Sequence, residues 1–167
     1  MEDLPVRAAK TGMLGTQSII EAVVDAWTRW AKGVALVVDP VMVATSGDRL
    51  LDAGAERAMR SLLALAAVIT PNLPEAAALS GLPLAAGARE HADAIAVHAP
   101  QATIIIKGGH ASGAHTHAID VVRRPGGGTW ELASPWVDTT STHGTGCTFS
   151  AAIAANSEAA CVWSRPG

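Results

Sequence analysis

The sequence predicts an α/β fold: a mostly parallel sheet flanked by helices, with an antiparallel hairpin at one edge. Three observations predict it. The runs at 34–38, 67–70 and 103–107 are apolar and largely β-branched, without polar alternation, as strands buried on both faces are. Segments of helical periodicity separate them, and that order implies parallel pairing through right-handed crossovers. The pattern then changes. Residues 117–122 and 129–133 alternate more, with Pro125-Gly126-Gly127-Gly128 between them, which is a hairpin signature.

Taken in order, the chain opens with a short strand at 6–10 that runs into the turn Thr11-Gly12-Met13-Leu14-Gly15. Thr16 is placed to cap a helix. Ile19, Ile20, Val23, Val24 and Trp27 fall on one face of that helix, and Gly33 closes it. The strand at 34–38 stops at Asp39-Pro40, and Asp52 is placed to cap the next helix, with Met59, Leu62, Leu63 and Ala66 on its apolar face. The strand at 67–70 stops at Pro71. Asn72-Leu73-Pro74-Glu75 then opens a helix with proline in its first turn, and Gly81 closes it. Another helix is expected over 86–98, followed by the strand that ends in Lys107-Gly108-Gly109-His110.

The totals exclude several functions. The 167 residues suffice for one domain with a core, or for part of a larger one. A 49% hydrophobic content with one Phe and no Tyr means a core of Ala, Val, Leu and Ile. Net charge is −3, so there is no electrostatic footprint for nucleic acid. Cys147 and Cys161 form no disulfide framework, which suits a reducing cytoplasm. The acidic start is no signal peptide, and no apolar run is long enough to span a bilayer. His110, His115 and His117 match no established zinc spacing.

The chemistry concentrates near Thr142-His143-Gly144-Thr145-Gly146-Cys147-Thr148. The apolar run from Phe149 reads as the start of a helix. A glycine-rich turn at a helix N-terminus turns unpaired amides and the positive end of the dipole toward one point, a site for an anion. Cys147 sits at the mouth of that turn. In a parallel sheet, ligands bind beyond the carboxyl ends of the strands. Asp39, Asn72 with Glu75, and Lys107 with Gly108 and Gly109 occupy those ends, so they should share a rim with the glycine turn. Carboxylates, a lysine and an amide cradle are the parts that phosphoryl transfer needs, with Mg²⁺ to neutralise charge.

Six segments carry a resemblance. Lys10-Thr11-Gly12-Met13-Leu14, Asp39-Pro40-Val41-Met42, Ser46-Gly47-Asp48, Thr70-Pro71-Asn72-Leu73-Pro74-Glu75-Ala76, Lys107-Gly108-Gly109-His110 and the 142–148 turn resemble, in that order, the hydroxymethylpyrimidine/phosphomethylpyrimidine kinases of thiamine biosynthesis. These are ribokinase-like proteins, and Cys147 stands where sugar kinases of that superfamily carry an aspartate. The resemblance covers about 6–155. It implies ATP-dependent phosphorylation of 4-amino-5-hydroxymethyl-2-methylpyrimidine and its monophosphate, with Mg²⁺ and ATP.

The resemblance also implies roles. The amides of Gly144, Thr145 and Gly146 would hold the transferring phosphoryl group, and Cys147 would face the substrate hydroxyl. Lys107, Asp39, Gly109 and Thr142 would serve the nucleotide. Asn72 and Glu75 would hold Mg²⁺, usually through water. Met13 and Val41 would line the pyrimidine pocket.

Members of that family carry a glycine-rich acidic segment ahead of the Lys10 region and further helices after the glycine-turn helix. The expectation is therefore a partial kinase domain over 1–155, impaired in activity. Residues 156–167 would be a divergent, poorly ordered tail. Full-length members are expected to be cytoplasmic homodimers that bind a small pyrimidine and ATP, with no nucleic acid or membrane partner. The alternatives are a non-catalytic nucleotide-binding remnant and a related pyridoxal kinase.

Overall fold

Six strands form one sheet in strictly sequential order, in a computed structural model that describes residues 6–42, 53–108, 116–137 and 144–156. The strands are β1 (Ala8–Thr11), β2 (Ala35–Val38), β3 (Val68–Ile69), β4 (Thr103–Ile106), β5 (His117–Arg123) and β6 (Thr129–Pro135). The first four are parallel, and β4–β5–β6 are antiparallel. The helices are α1 (Gln17–Trp30), α2 (Ala53–Leu63), α3 (Leu73–Ser80), α4 (Ala88–Ala96) and α5 (Thr145–Ala155). The fold class and the edge hairpin are as the sequence patterns imply.

Sequential order with one-handed crossovers must put the crossover helices on one face of the sheet. The core confirms this. Leu36, Val38, Ile69, Ile104 and Ile106 cluster with Ile20 of α1, Leu62 and Leu63 of α2, Ala76 of α3 and Ile95 of α4. Side chains alternate along a strand, so Val37 points to the opposite face. There α5 packs on β1 and β2, and Val37 is buried. The hairpin is tied to α4 by Arg123–Asp93 (2.6 Å) and Arg89–Glu131 (3.4 Å).

Local chemistry sets the helix ends. Thr16 Oγ1 accepts the Ile19 N–H at the start of α1. At α3, Asn72 and Glu75 form a reciprocal capping box with Pro74 in the first turn, and Gly81 closes the helix at φ 73°, the left-handed region. Asp52, the expected cap of α2, lies outside the described residues, as do Ser46-Gly47-Asp48, His110, His115 and Cys161.

Three expectations need correction. Ile19 does not share the buried face of α1 and is exposed. The inward stripe runs through Ile20, Val23, Val24 and Trp27, the i, i+3, i+4, i+7 positions, and Ile19 falls beside it. Helix α5 begins at Thr145, four residues before the expected start at Phe149. Gly144 supplies the turn at φ 80°, and the Thr148 N–H already bonds to the Gly144 carbonyl (2.9 Å). Thr145, Gly146 and Cys147 are therefore the first turn of the helix itself. Lys107 lies one residue past β4, in an isolated bridge with Asn72.

Candidate active site

The carboxyl ends of β2, β3 and β4 bring three side chains into contact. Asp39 follows β2 and is almost fully buried (2% exposed). Lys107 follows β4, and its Nζ donates to Asp39 Oδ1 at 3.2 Å. Thr70 follows β3, and its hydroxyl donates to the same oxygen at 3.4 Å. Parallel strands in register force this meeting. The Asp39 N–H bonds to the Thr11 carbonyl, the Thr70 N–H to Val38 and the Lys107 N–H to Pro71, so successive strand ends are stitched side by side.

The first turn of α5 closes over this cluster. A methyl group added at Gly146 would sit 3.2 Å from Lys107 Nζ and 3.9 Å from Asp39 Oδ2. The Ser150 hydroxyl, one turn further on, reaches Asp39 Oδ2 at 3.2 Å. A lysine ammonium and a helix N-terminus are both positive, and placing them together is unfavourable unless an anion joins them. Asp39 offsets part of that charge from below. The N-terminus of α5, with its dipole, faces the same point, which suits an anion. Cys147 is exposed in that same turn.

Glu75 stands beside this group, 3% exposed. Its Oε2 accepts the Asn72 N–H (2.8 Å), while Asn72 Oδ1 accepts the Glu75 N–H (2.8 Å). Burial pushes the Glu75 carboxyl above its ordinary range. The Asn72 N–H and the Lys107 charge pull it down, and the Asp39 charge pushes it up. A buried carboxylate held next to a second one is a donor set that a hard cation relieves. Among the described residues no three His, Cys, Asp or Glu side chains cluster tightly enough to cage a metal. Magnesium characteristically takes one or two carboxylates and completes its shell with water and phosphate oxygens, so the residues present fit it.

Not every candidate from the sequence joins the cluster. Met13 and Val41 lie on the same rim beyond β1 and β2, Met13 exposed (62%) and Val41 half-buried; the Val41 N–H donates to the Asp39 carbonyl (2.9 Å), and neither side chain joins the donors to the Asp39 carboxylate. Gly109 and Thr142 lie outside the described residues.

The description "Phosphomethylpyrimidine kinase" belongs to a family whose pattern matches residues 1–163. The chain belongs to the phosphomethylpyrimidine kinase family. It is 43% identical over 162 residues to the hydroxymethylpyrimidine/phosphomethylpyrimidine kinase of Rhizobium meliloti, covering 92% of this chain and 57% of that protein. It is 44% identical over 155 residues to the thiamine biosynthesis multifunctional protein ThiED of Corynebacterium efficiens, covering 91% of this chain and 20% of that one. Among solved structures, an ADP complex of Bacillus subtilis pyridoxal kinase superposes with a TM-score of 0.79 at 38% identity, over 93% of this chain and 58% of that one. The chain thus spans little more than half the length of the Rhizobium meliloti and Bacillus subtilis kinases.

Against the family's pattern, sequence reasoning left out three residues that the geometry brings in. Among the described residues, Thr70 and Ser150 supply two of the three donors to the Asp39 carboxylate. Asp120, on β5, accepts the Gly108 N–H at 2.8 Å and so pins the residue next to Lys107. Gly108 itself has no room for a side chain, because a Cβ there would overlap the Ile119 carbonyl. One sequence signal pointed to Ser150: it is the lone hydroxyl in the apolar run Phe149–Ala155. Nothing local marked Asp120.

Proposed function

We propose that this chain carries the nucleotide and metal side of an ATP-dependent kinase that phosphorylates 4-amino-5-hydroxymethyl-2-methylpyrimidine and its monophosphate. One observation carries the reading: the Asp39–Lys107 pair lies directly under the N-terminal turn of α5. In a member of this family, such a site suits the phosphates of ATP. Mg²⁺ held near Glu75 and Asn72 would neutralise phosphate charge.

The protein's own part is positioning. Lys107, set by Asp39, contacts nucleotide phosphates, and Gly109 and Thr142 serve the nucleotide as the family resemblance implies. The amides of Gly144, Thr145 and Gly146 receive the transferring phosphoryl group at a preorganised point, where they cost no reorganisation. Cys147, in the same turn, faces the substrate hydroxyl. Met13 and Val41 border the pyrimidine. The reading extends to a cytoplasmic homodimer for the full-length protein.

The solved pyridoxal kinase fold favours a second reading, with pyridoxal as the acceptor. Both acceptors are tested together. The chain, extended to family length, is given Mg²⁺-ATP with the pyrimidine or with pyridoxal, and ADP release is followed. Turnover with the pyrimidine, reduced at least tenfold by Glu75→Gln at saturating Mg²⁺, is the expected outcome. Turnover with pyridoxal alone would replace the substrate. Full activity in the Gln variant would remove Glu75 from the metal site.

A further inference from the structure

The kinase reading leaves Ser150 without a role, yet Ser150 is the only residue of α5 that is fully buried. Its hydroxyl has one proton and three oxygens within reach: Asp39 Oδ2 (3.2 Å), the Gly146 carbonyl (3.1 Å) and the Cys147 carbonyl (3.1 Å). A carboxylate is the stronger acceptor, so the proton goes to Asp39. Asp39 then receives Ser150, Thr70 and Lys107, which come from α5 and from the ends of β3 and β4. Asp39 itself ends β2. A single buried carboxylate thus joins four elements.

Helix α5 needs such an anchor. The rest of it is exposed or half-buried, and among the described residues its main contacts with the sheet are to β1 and β2. An apolar helix with few buried contacts opens easily, and an anion cradle on an opening helix is poorly positioned.

We propose that Ser150 is a positioning residue: through Asp39 it clamps the first turn of α5 to the strand ends, so that the cradle amides and Lys107 form one rigid unit. Its effect on ligand rests on the kinase reading. The clamp itself does not.

The test uses Ser150→Ala and Asp39→Asn, singly and together, in the 167-residue chain. Amide hydrogen exchange is measured by mass spectrometry for the peptide covering α5 and for those covering β2 to β4. Exchange in α5 should rise roughly tenfold or more in Ser150→Ala, with the strands changed less than about twofold. Asp39→Asn keeps the shape and weakens the acceptor, so it should speed α5 as well. In the double variant the two effects should not multiply, because both break one contact.

The affinity for Mg²⁺-ATP, expressed per folded chain, should fall several-fold in Ser150→Ala. Simple unfolding would lower the number of sites and leave their affinity unchanged. Unaltered exchange in α5, or effects that multiply fully, would overturn the clamp. A wild-type chain that binds no ATP would sink the kinase reading instead, and the exchange data would still decide the clamp.

Discussion

Two residues show how the rim of this sheet balances charge and space. Glu75 is buried beside Asp39, and burial first, then that neighbour, holds its carboxyl above the ordinary value of 4.5. The folded chain therefore keeps this proton to a higher pH than the unfolded chain does. Below the ordinary value both states are protonated and the carboxyl carries no penalty. As pH rises from there to the raised folded value, the unfolded chain releases its proton first and stability falls. Above the folded value the penalty is constant. Glu75→Gln stays neutral and can still accept the Asn72 N–H. In EDTA at pH 7 it should melt no lower than wild type, and its melting temperature should vary less over that window. Mg²⁺ should narrow the difference by favouring the ionised wild-type group. A Gln variant that melts well below wild type in EDTA would mean that the charge stabilises the fold.

Gly108 is limited by space. Its N–H bonds to Asp120, and the Ile119 carbonyl occupies the place where a Cβ would stand. Backbone lies on both sides of the overlap, so no rotamer relieves it. Gly108→Ala should cost about 2 kcal/mol or more in urea unfolding, while Gly87→Ala, where nothing lies within 4 Å, serves as the mild control. Equal midpoints for the two variants would contradict the close crossing of β4 and β5.

At the scale of elements, what the sequence made legible followed from local rules. The strands are visible as apolar runs because burial on a sheet interior leaves no polar alternation. The α3 cap is visible because Asn72, Pro74 and Glu75 satisfy a local bonding pattern. Asp39, Lys107 and Gly146 are visible because parallel strands end at one rim, and the structure does bring them together. Thr70 and Asp120 were not legible, since each acts through a partner at least twelve residues away in sequence and neither is an unusual residue for its place; Ser150 stood out as a lone hydroxyl, but its partner Asp39 lies far away in sequence. The start of α5 was misread because glycine argues against a helix interior, whereas here Gly146 admits Lys107 beneath the first turn.

That placement bears on Cys147. As part of the first turn, it presents an exposed thiol beside the cradle amides. Its alkylation by iodoacetamide should be slowed several-fold by Mg²⁺-ATP and slowed further when the pyrimidine is added to the family-length protein. Labelling that is indifferent to both ligands would place Cys147 away from the reacting groups.

At the scale of the whole molecule, the described residues are unevenly arranged. Helices α1 to α4 lie on one face of the sheet, and α5 lies on the other with its main contacts to β1 and β2. Among the described residues, strands β1 and β6 are the edges of the sheet. β6 is seven residues long and exposed along most of its length. Leu132 there is 46% exposed, and by strand alternation it lies on the face opposite α4 with half-buried Trp130, over whose ring Arg124 sits at 4.6 Å, and with buried Val122. An edge of that length beside exposed apolar side chains is a template for pairing with another chain. The ion pairs that hold the hairpin to α4, Arg123–Asp93 and Arg89–Glu131, lie on the other face, while on this one Asp120 stands opposite Leu132. The 167-residue chain by itself should therefore self-associate, with an apparent mass that rises with concentration in sedimentation velocity. Leu132→Lys puts a charge at an exposed position of the edge strand, and it should shift the distribution toward monomer while α5 exchange stays at the wild-type rate. A wild-type chain that sediments as a single monomeric species at every concentration would show that the exposed edge and face are already compatible with water.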